Sequence, residues 1–190
     1  MDSFRRSLLA TGAALLSTIP AGCLGDGPND SERQSGAVAS IEYEVTAFAA
    51  TFSVPEWADP NRPSAGHLAA ITSADRASDE LDFDEVDDDR RDDVDAFVEE
   101  TDFDSEFLLY VASEGPNSNY REMEITTLDV EDGVVVGRAE IQTIDEKFAD
   151  EAPMYPSILV RVTPDEGWPA GVELAITDGW DNEKPFEVSL

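Results

Sequence analysis

The chain has 190 residues, 41% of them apolar, which suits one domain with a sizeable core and argues against a disordered chain. Twelve Lys and Arg stand against 43 Asp and Glu, a formal net charge of −31. Phosphate backbones need a basic patch, so no nucleic-acid partner is expected, and the single cysteine excludes an internal disulfide.

The first 22 residues read as an export leader. Arg5 and Arg6 form a twin-arginine pair, an apolar run follows from Leu8 to Ile19, and Pro20-Ala21-Gly22 closes it before Cys23. Residues 7 to 22 are too short and too rich in small side chains to span ~30 Å of hydrocarbon comfortably. Ala21-Gly22-Cys23 resembles a lipobox, whose cysteine thiol accepts a lipid; an ordinary core cysteine is the competing reading. The whole segment resembles the twin-arginine lipoprotein signals of halophilic archaea, with Pro20 where an aliphatic residue is usual. The resemblance implies a membrane anchor through lipid on Cys23 at the outer face of the cytoplasmic membrane, on a domain exported already folded. Residues 23–37 then form a lipidated tether of Gly, Pro, Asn, Asp and Ser with no apolar period. Leu24 to Ala37 reaches ~45 Å when extended. Asn29-Asp30-Ser31 matches the N-glycosylation pattern, with Asn29 as acceptor.

Residues 38–190 are expected to form a single β-rich domain. Ile41, Tyr43 and Val45 alternate with Glu42, Glu44 and Thr46, the pattern of a half-buried strand. From Phe48 the apolar phase slips by one residue through Ala50, Phe52 and Val54, which predicts a bulge near Ala47. A proline-rich loop, Pro55 to Ser64, precedes a short strand, His67 to Thr72. Ser73 is placed to cap a brief helix from Ala74 to about Leu81. The acidic run Asp82 to Asp95 leads into Val94, Phe97 and Val98 on one helical face, and its acids suit a helix N-terminus. Asp102-Phe103-Asp104 ends that helix.

The remainder predicts strands. Phe107 to Ala112 is a continuous apolar run and so a central strand. Its exit loop, Glu114 to Asn119, is expected at the surface, because Gly-Pro-Asn-Ser-Asn has backbone groups to satisfy. Met123 and Ile125 alternate with acids, and Glu131-Asp132-Gly133 marks a hairpin into Val134 to Ile144. Ile158, Val160 and Val162 share one strand face. Asp165-Glu166-Gly167 and Asp181-Asn182 turn into strands at Gly171 to Ile176 and Phe186 to Val188. About seven to eight strands and two short helices joined by short turns give an α+β fold, mostly antiparallel β-sheet.

Residues 71 to 162 resemble the C-terminal domain family of PrcB, a protease-complex-stabilising protein. The resemblance runs through Ile71-Thr72-Ser73, Asp102-Phe103-Asp104 and Phe107-Leu108-Leu109-Tyr110-Val111. It continues in Pro116-Asn117-Ser118-Asn119-Tyr120, Val130-Glu131-Asp132-Gly133 and Ala152-Pro153-Met154-Tyr155-Pro156. The family's loop carries a threonine and two glycines before its tyrosine, where this chain has Ser118 and Asn119. The resemblance implies a non-enzymatic, extracytoplasmic protein-interaction domain whose contact loop is Pro116, Asn117, Ser118, Asn119 and Tyr120, with an unknown protein partner.

Residues that could carry chemistry are few. His67 is the only histidine; Ser64, Ser73 and Asp75 lie near it, and no Gly-x-Ser-x-Gly elbow accompanies it. No Cys/His set exists for zinc, and the run Asp82 to Asp89 lacks the glycine and the final glutamate of an EF-hand loop. No cofactor, metal or catalytic residue is expected. Trp57, Trp168 and Trp180 flank turns, where they cover core edges or, exposed together, stack on a partner. The acids on nearly every segment, with only Lys147 and Lys184 as lysines, read as adaptation to high salt. The expected function is a cell-surface interaction or scaffold lipoprotein without catalysis; the alternative is a solute- or cation-binding lipoprotein.

Overall fold

The computed structural model describes residues 41–58, 66–86, 88, 90–144, 149–165 and 167–190. The readings of Arg5, Arg6, Cys23 and Asn29, of the tether, and of residue 38 as the domain's start lie outside them. The described residues form an α+β domain that is mostly β, with eight strands in two four-stranded sheets.

The first sheet contains β1 (Glu42–Thr51), β2 (His67–Ile71), β3 (Phe107–Ala112) and β6 (Tyr155–Thr163), in the order β1-β6-β3-β2, all antiparallel. The second contains β4 (Glu122–Glu131), β5 (Val134–Gln142), β7 (Gly171–Thr177) and β8 (Glu183–Ser189), in that order. Its outer pairs are antiparallel, but β5 and β7 run parallel. The mostly antiparallel expectation holds, and the one parallel pair has a topological cause: β6 leaves for the other sheet between β5 and β7, and so serves as the crossover that parallel neighbours require.

Every residue of β3 is buried because both faces of its sheet are covered. Phe107, Leu109 and Val111 meet Ile158, Val160 and Val162 of β6 and the inward residues Ile125, Val135, Leu174 and Ile176 of the second sheet. On the other face Leu108, Tyr110 and Leu159 pack with Phe48, Ala77, Leu81 and Val94. That layer holds α1 (Ala74–Glu80), a 3-10 turn (Phe83–Glu85) and α2 (Arg91–Glu99). Ser73 Oγ accepts the backbone N–H of Arg76 at 3.2 Å, the N-cap its position predicts. α2 buries Val94 fully and half-buries Phe97 and Val98, and Arg161 of β6 lies over the Phe97 ring at 4.6 Å from its centroid.

The bulge in β1 falls between Ala47 and Ala49, where the pairing with β6 shifts by one residue. It turns Phe48 onto the helical side, edge-on to Tyr110 at 5.5 Å. The half-buried reading of the strand's first half is not met: Tyr43 is 39% and Val45 44% exposed. They lie beside Val162 and Val160 of β6, on the strand at the sheet's edge. The Asp132-Gly133 hairpin carries positive φ at both positions, 52° and 78°, the twist that joins two strands without splaying them.

Candidate functional site

The loop after β3 is built into one end of the sandwich. Gly115 and Met154 exchange backbone hydrogen bonds at 2.7 and 2.9 Å. Ser118 N–H reaches Asp150 O at 3.3 Å, and Ser118 Oγ accepts Asp150 N–H at 2.9 Å. Asn119 O accepts Ile144 N–H at 2.9 Å, and Asn117 Oδ1 accepts Asn119 N–H at 3.0 Å. Gly115 and Ser118 are buried, and Pro116, Asn117, Asn119 and Tyr120 are half-buried. The loop thus reaches the surface only in part: many of its backbone groups find partners on neighbouring segments, while Pro116, Asn117, Asn119 and Tyr120 stay part-exposed.

The turn between β7 and β8 joins the same end. Gly179 N–H donates to Glu114 O at 2.9 Å. A Cβ on Gly179 would stand 2.6 Å from Pro116 Cδ and 2.7 Å from Gly115 Cα, so only glycine permits this approach. Asp178 is buried, and its Oδ1 accepts the N–H of Trp180 and of Asn182, both at 2.9 Å, while Asn182 Nδ2 donates to both carboxylate oxygens. Trp180, 48% exposed, follows on that base, and it is its neighbour Gly179 that packs against Pro116 and Tyr120. Burial foremost, and then the nearby Asp178 charge, push the Glu114 carboxyl above its usual range, against a hydrogen bond from the Tyr155 hydroxyl. The sequence flagged Trp180 but gave no sign that its turn would pack against the Pro116 loop.

Tyr155 links this platform to a cavity on the helical side. Its ring lies edge-on to Trp57, centroids 5.9 Å apart. Trp57 is nearly parallel to His67, at 5.8 Å and 13°, and His67 meets Tyr110 edge-on at 5.8 Å. Trp57, His67 and Tyr110 line a cavity of about 720 Å³. Glu56, Asp79, Glu80, Asp82 and Glu85 stand around it, and among the described residues no lysine or arginine lines it. Burial lowers the His67 pKa, opposed by the Glu80 carboxylate, so the ring is held neutral. Burial and the neighbouring Asp82 raise that of Glu85. Trp57 Nε1 is buried without a hydrogen bond of good geometry among the described residues, although it lies beside the Tyr110 hydroxyl.

The ring neighbours of His67 are Trp57 and Tyr110, and Ser73 Oγ is engaged as a helix cap; Ser64 lies outside the described residues. Among the described residues no three acidic or histidine side chains converge as metal ligands. The three tryptophans do not form one surface. Trp57 belongs to the cavity and Trp180 to the platform, while Trp168 packs against Phe107 at the opposite end of β3, centroids 5.6 Å apart.

Compared with protein-family models, with curated proteins and with solved structures, the chain finds no match.

Proposed function

We propose that this protein is a lipoprotein held by lipid on Cys23 at the outer face of the cytoplasmic membrane, and that its folded domain is a non-catalytic protein-interaction module working in high salt. The observation that carries the reading is the platform at one end of the sandwich. A half-exposed tryptophan, Trp180, stands there on a hydrogen-bonded turn whose Gly179 packs against Pro116 and Tyr120. Aromatic side chains held rigid before binding lose little entropy on contact and dominate the energetics of recognition surfaces. The resemblance to the PrcB C-terminal domain family points to the same loop. Export as a folded domain fits a module with no disulfide to form outside.

Ser118 and Asn117 spend their polar atoms on the loop itself, so Trp180 is the cleaner probe. The test uses the full chain as bait on membranes solubilised in molar KCl. Trp180→Ala is expected to abolish capture of a defined partner while the circular dichroism spectrum is kept. The triple change of Asn117, Ser118 and Asn119 to alanine is expected to weaken it. An unchanged partner set from a folded Trp180→Ala variant rules the platform out as the contact surface.

A further inference from the structure

We infer that the cavity lined by Trp57, His67 and Tyr110 is a binding site for an alkylated ammonium head group. Three properties define that occupant. Its size is the first: about 720 Å³ lies in the range of small-molecule pockets and far above what a bare ion fills. The second is the aromatic lining. Trp57 and His67, near-parallel with centroids 5.8 Å apart, leave part of each ring face uncovered by the other. A tryptophan face attracts a cation through the quadrupole of its ring, and a soft, weakly hydrated cation loses least on entering.

Charge is the third. Around the rim stand five carboxylates, and among the described residues only Glu80 has an arginine partner, Arg76 at 2.9 Å. An anion is repelled from such a mouth, and the neutral His67 offers it nothing. A divalent metal is disfavoured as well, since no three of these ligands converge. What remains is a cation too large for close coordination, with a charge spread over alkyl groups that rest on aromatic faces. In molar salt the rim charges are screened within ~3 Å, so the rings supply most of the selectivity and the carboxylates a smaller share.

The site does not depend on the protein-interaction reading, because Trp180 and the Pro116 loop lie outside the cavity. The experiment uses the full chain carrying Trp168→Phe and Trp180→Phe, so that Trp57 is the sole fluorophore. Choline is titrated in molar KCl against 3,3-dimethyl-1-butanol, its neutral isostere. A saturable change in Trp57 emission is expected with choline, with affinity about tenfold or more above that of the alcohol. Glu56→Gln combined with Glu85→Gln, both at the rim, is expected to weaken choline several-fold and leave the alcohol unchanged. Equal responses to the two probes, or no saturable response to choline from the folded protein, overturn the assignment.

Discussion

The buried carboxylate of Asp178 accepts the backbone N–H of Trp180 at 2.9 Å, so an interior charge fixes the footing of an exposed aromatic ring. The same oxygen holds Asn182 N–H, and Asp181 between them adopts a positive φ of 62°. Asp178→Ala leaves those donors without their acceptor and is expected to cost about 1–3 kcal/mol, with Asp178→Asn milder because one acceptor oxygen remains. Denaturant unfolding in molar KCl measures both. The Ala variant is also expected to lose partner capture under conditions where its β-sheet signal persists.

Acidification should weaken the fold through His67. Burial sets its folded pKa below the unfolded value near 6.5, so the neutral ring stabilises the fold fully above that value. As pH falls through 6.5 the unfolded chain takes up the proton first, and stability drops until the folded ring also protonates. Glu85 and Glu114, whose folded pKa values are raised, act in the opposite sense at lower pH, where their protonation favours the folded state. His67→Gln should therefore flatten the melting-temperature profile between neutral and mildly acidic pH, at fixed KCl. A profile identical to that of the parent protein contradicts the assignment.

Salt should be required for folding. The whole chain has a formal charge of −31, and the exposed strand faces of its domain carry Glu122, Glu124, Glu173 and Glu187. Melting followed by circular dichroism should fall steeply as KCl drops from molar, where the Debye length is ~3 Å, to a tenth molar, where it is ~10 Å.

Two substitutions separate interior from edge. Leu159 is fully buried under the helical layer, and Leu159→Ala should cost about 2–5 kcal/mol. Val45, in a stretch with the same apolar alternation, is 44% exposed, and Val45→Ala should change stability by less than about 0.5 kcal/mol. Comparable losses at both positions would mean that the edge of β1 is covered.

Anchoring is tested at Cys23. Cys23→Ser is expected to move the processed protein from the membrane fraction to the soluble one, since the thiol is the lipid acceptor in the proposal. Full membrane partitioning of the processed variant counts against it.

Local pattern made most elements legible. Six apolar residues in a row marked β3 as buried on both faces, Asp132-Gly133 marked a hairpin, and the phase slip before Phe48 located the bulge. Period-two alternation, however, reports only which residues share a face. It cannot say whether a second layer reaches that face, which is why Tyr43 and Val45 were read as half-buried. Sheet membership is likewise a long-range property. Nothing between Gln142 and Gly171 announces that β6 pairs in the other sheet and leaves β5 and β7 parallel. The platform was half visible: the loop was picked out from its sequence, but its partners Asp150, Met154 and Gly179 lie 30 or more residues away.

The register of β1 against β6 also decides how the domain bears a pull. The described chain enters β1 beside the Glu42–Thr163 pair, whereas the platform lies at the Thr51–Tyr155 end, about 30 Å along the strand at ~3.4 Å per residue. A pull applied to the start of β1 and to the platform would run along the strands and across the β1–β6 hydrogen bonds, which lie perpendicular to it. Those rungs then share the load together instead of opening one after another. A domain with no internal disulfide can in this way resist a pull between its first strand and its platform.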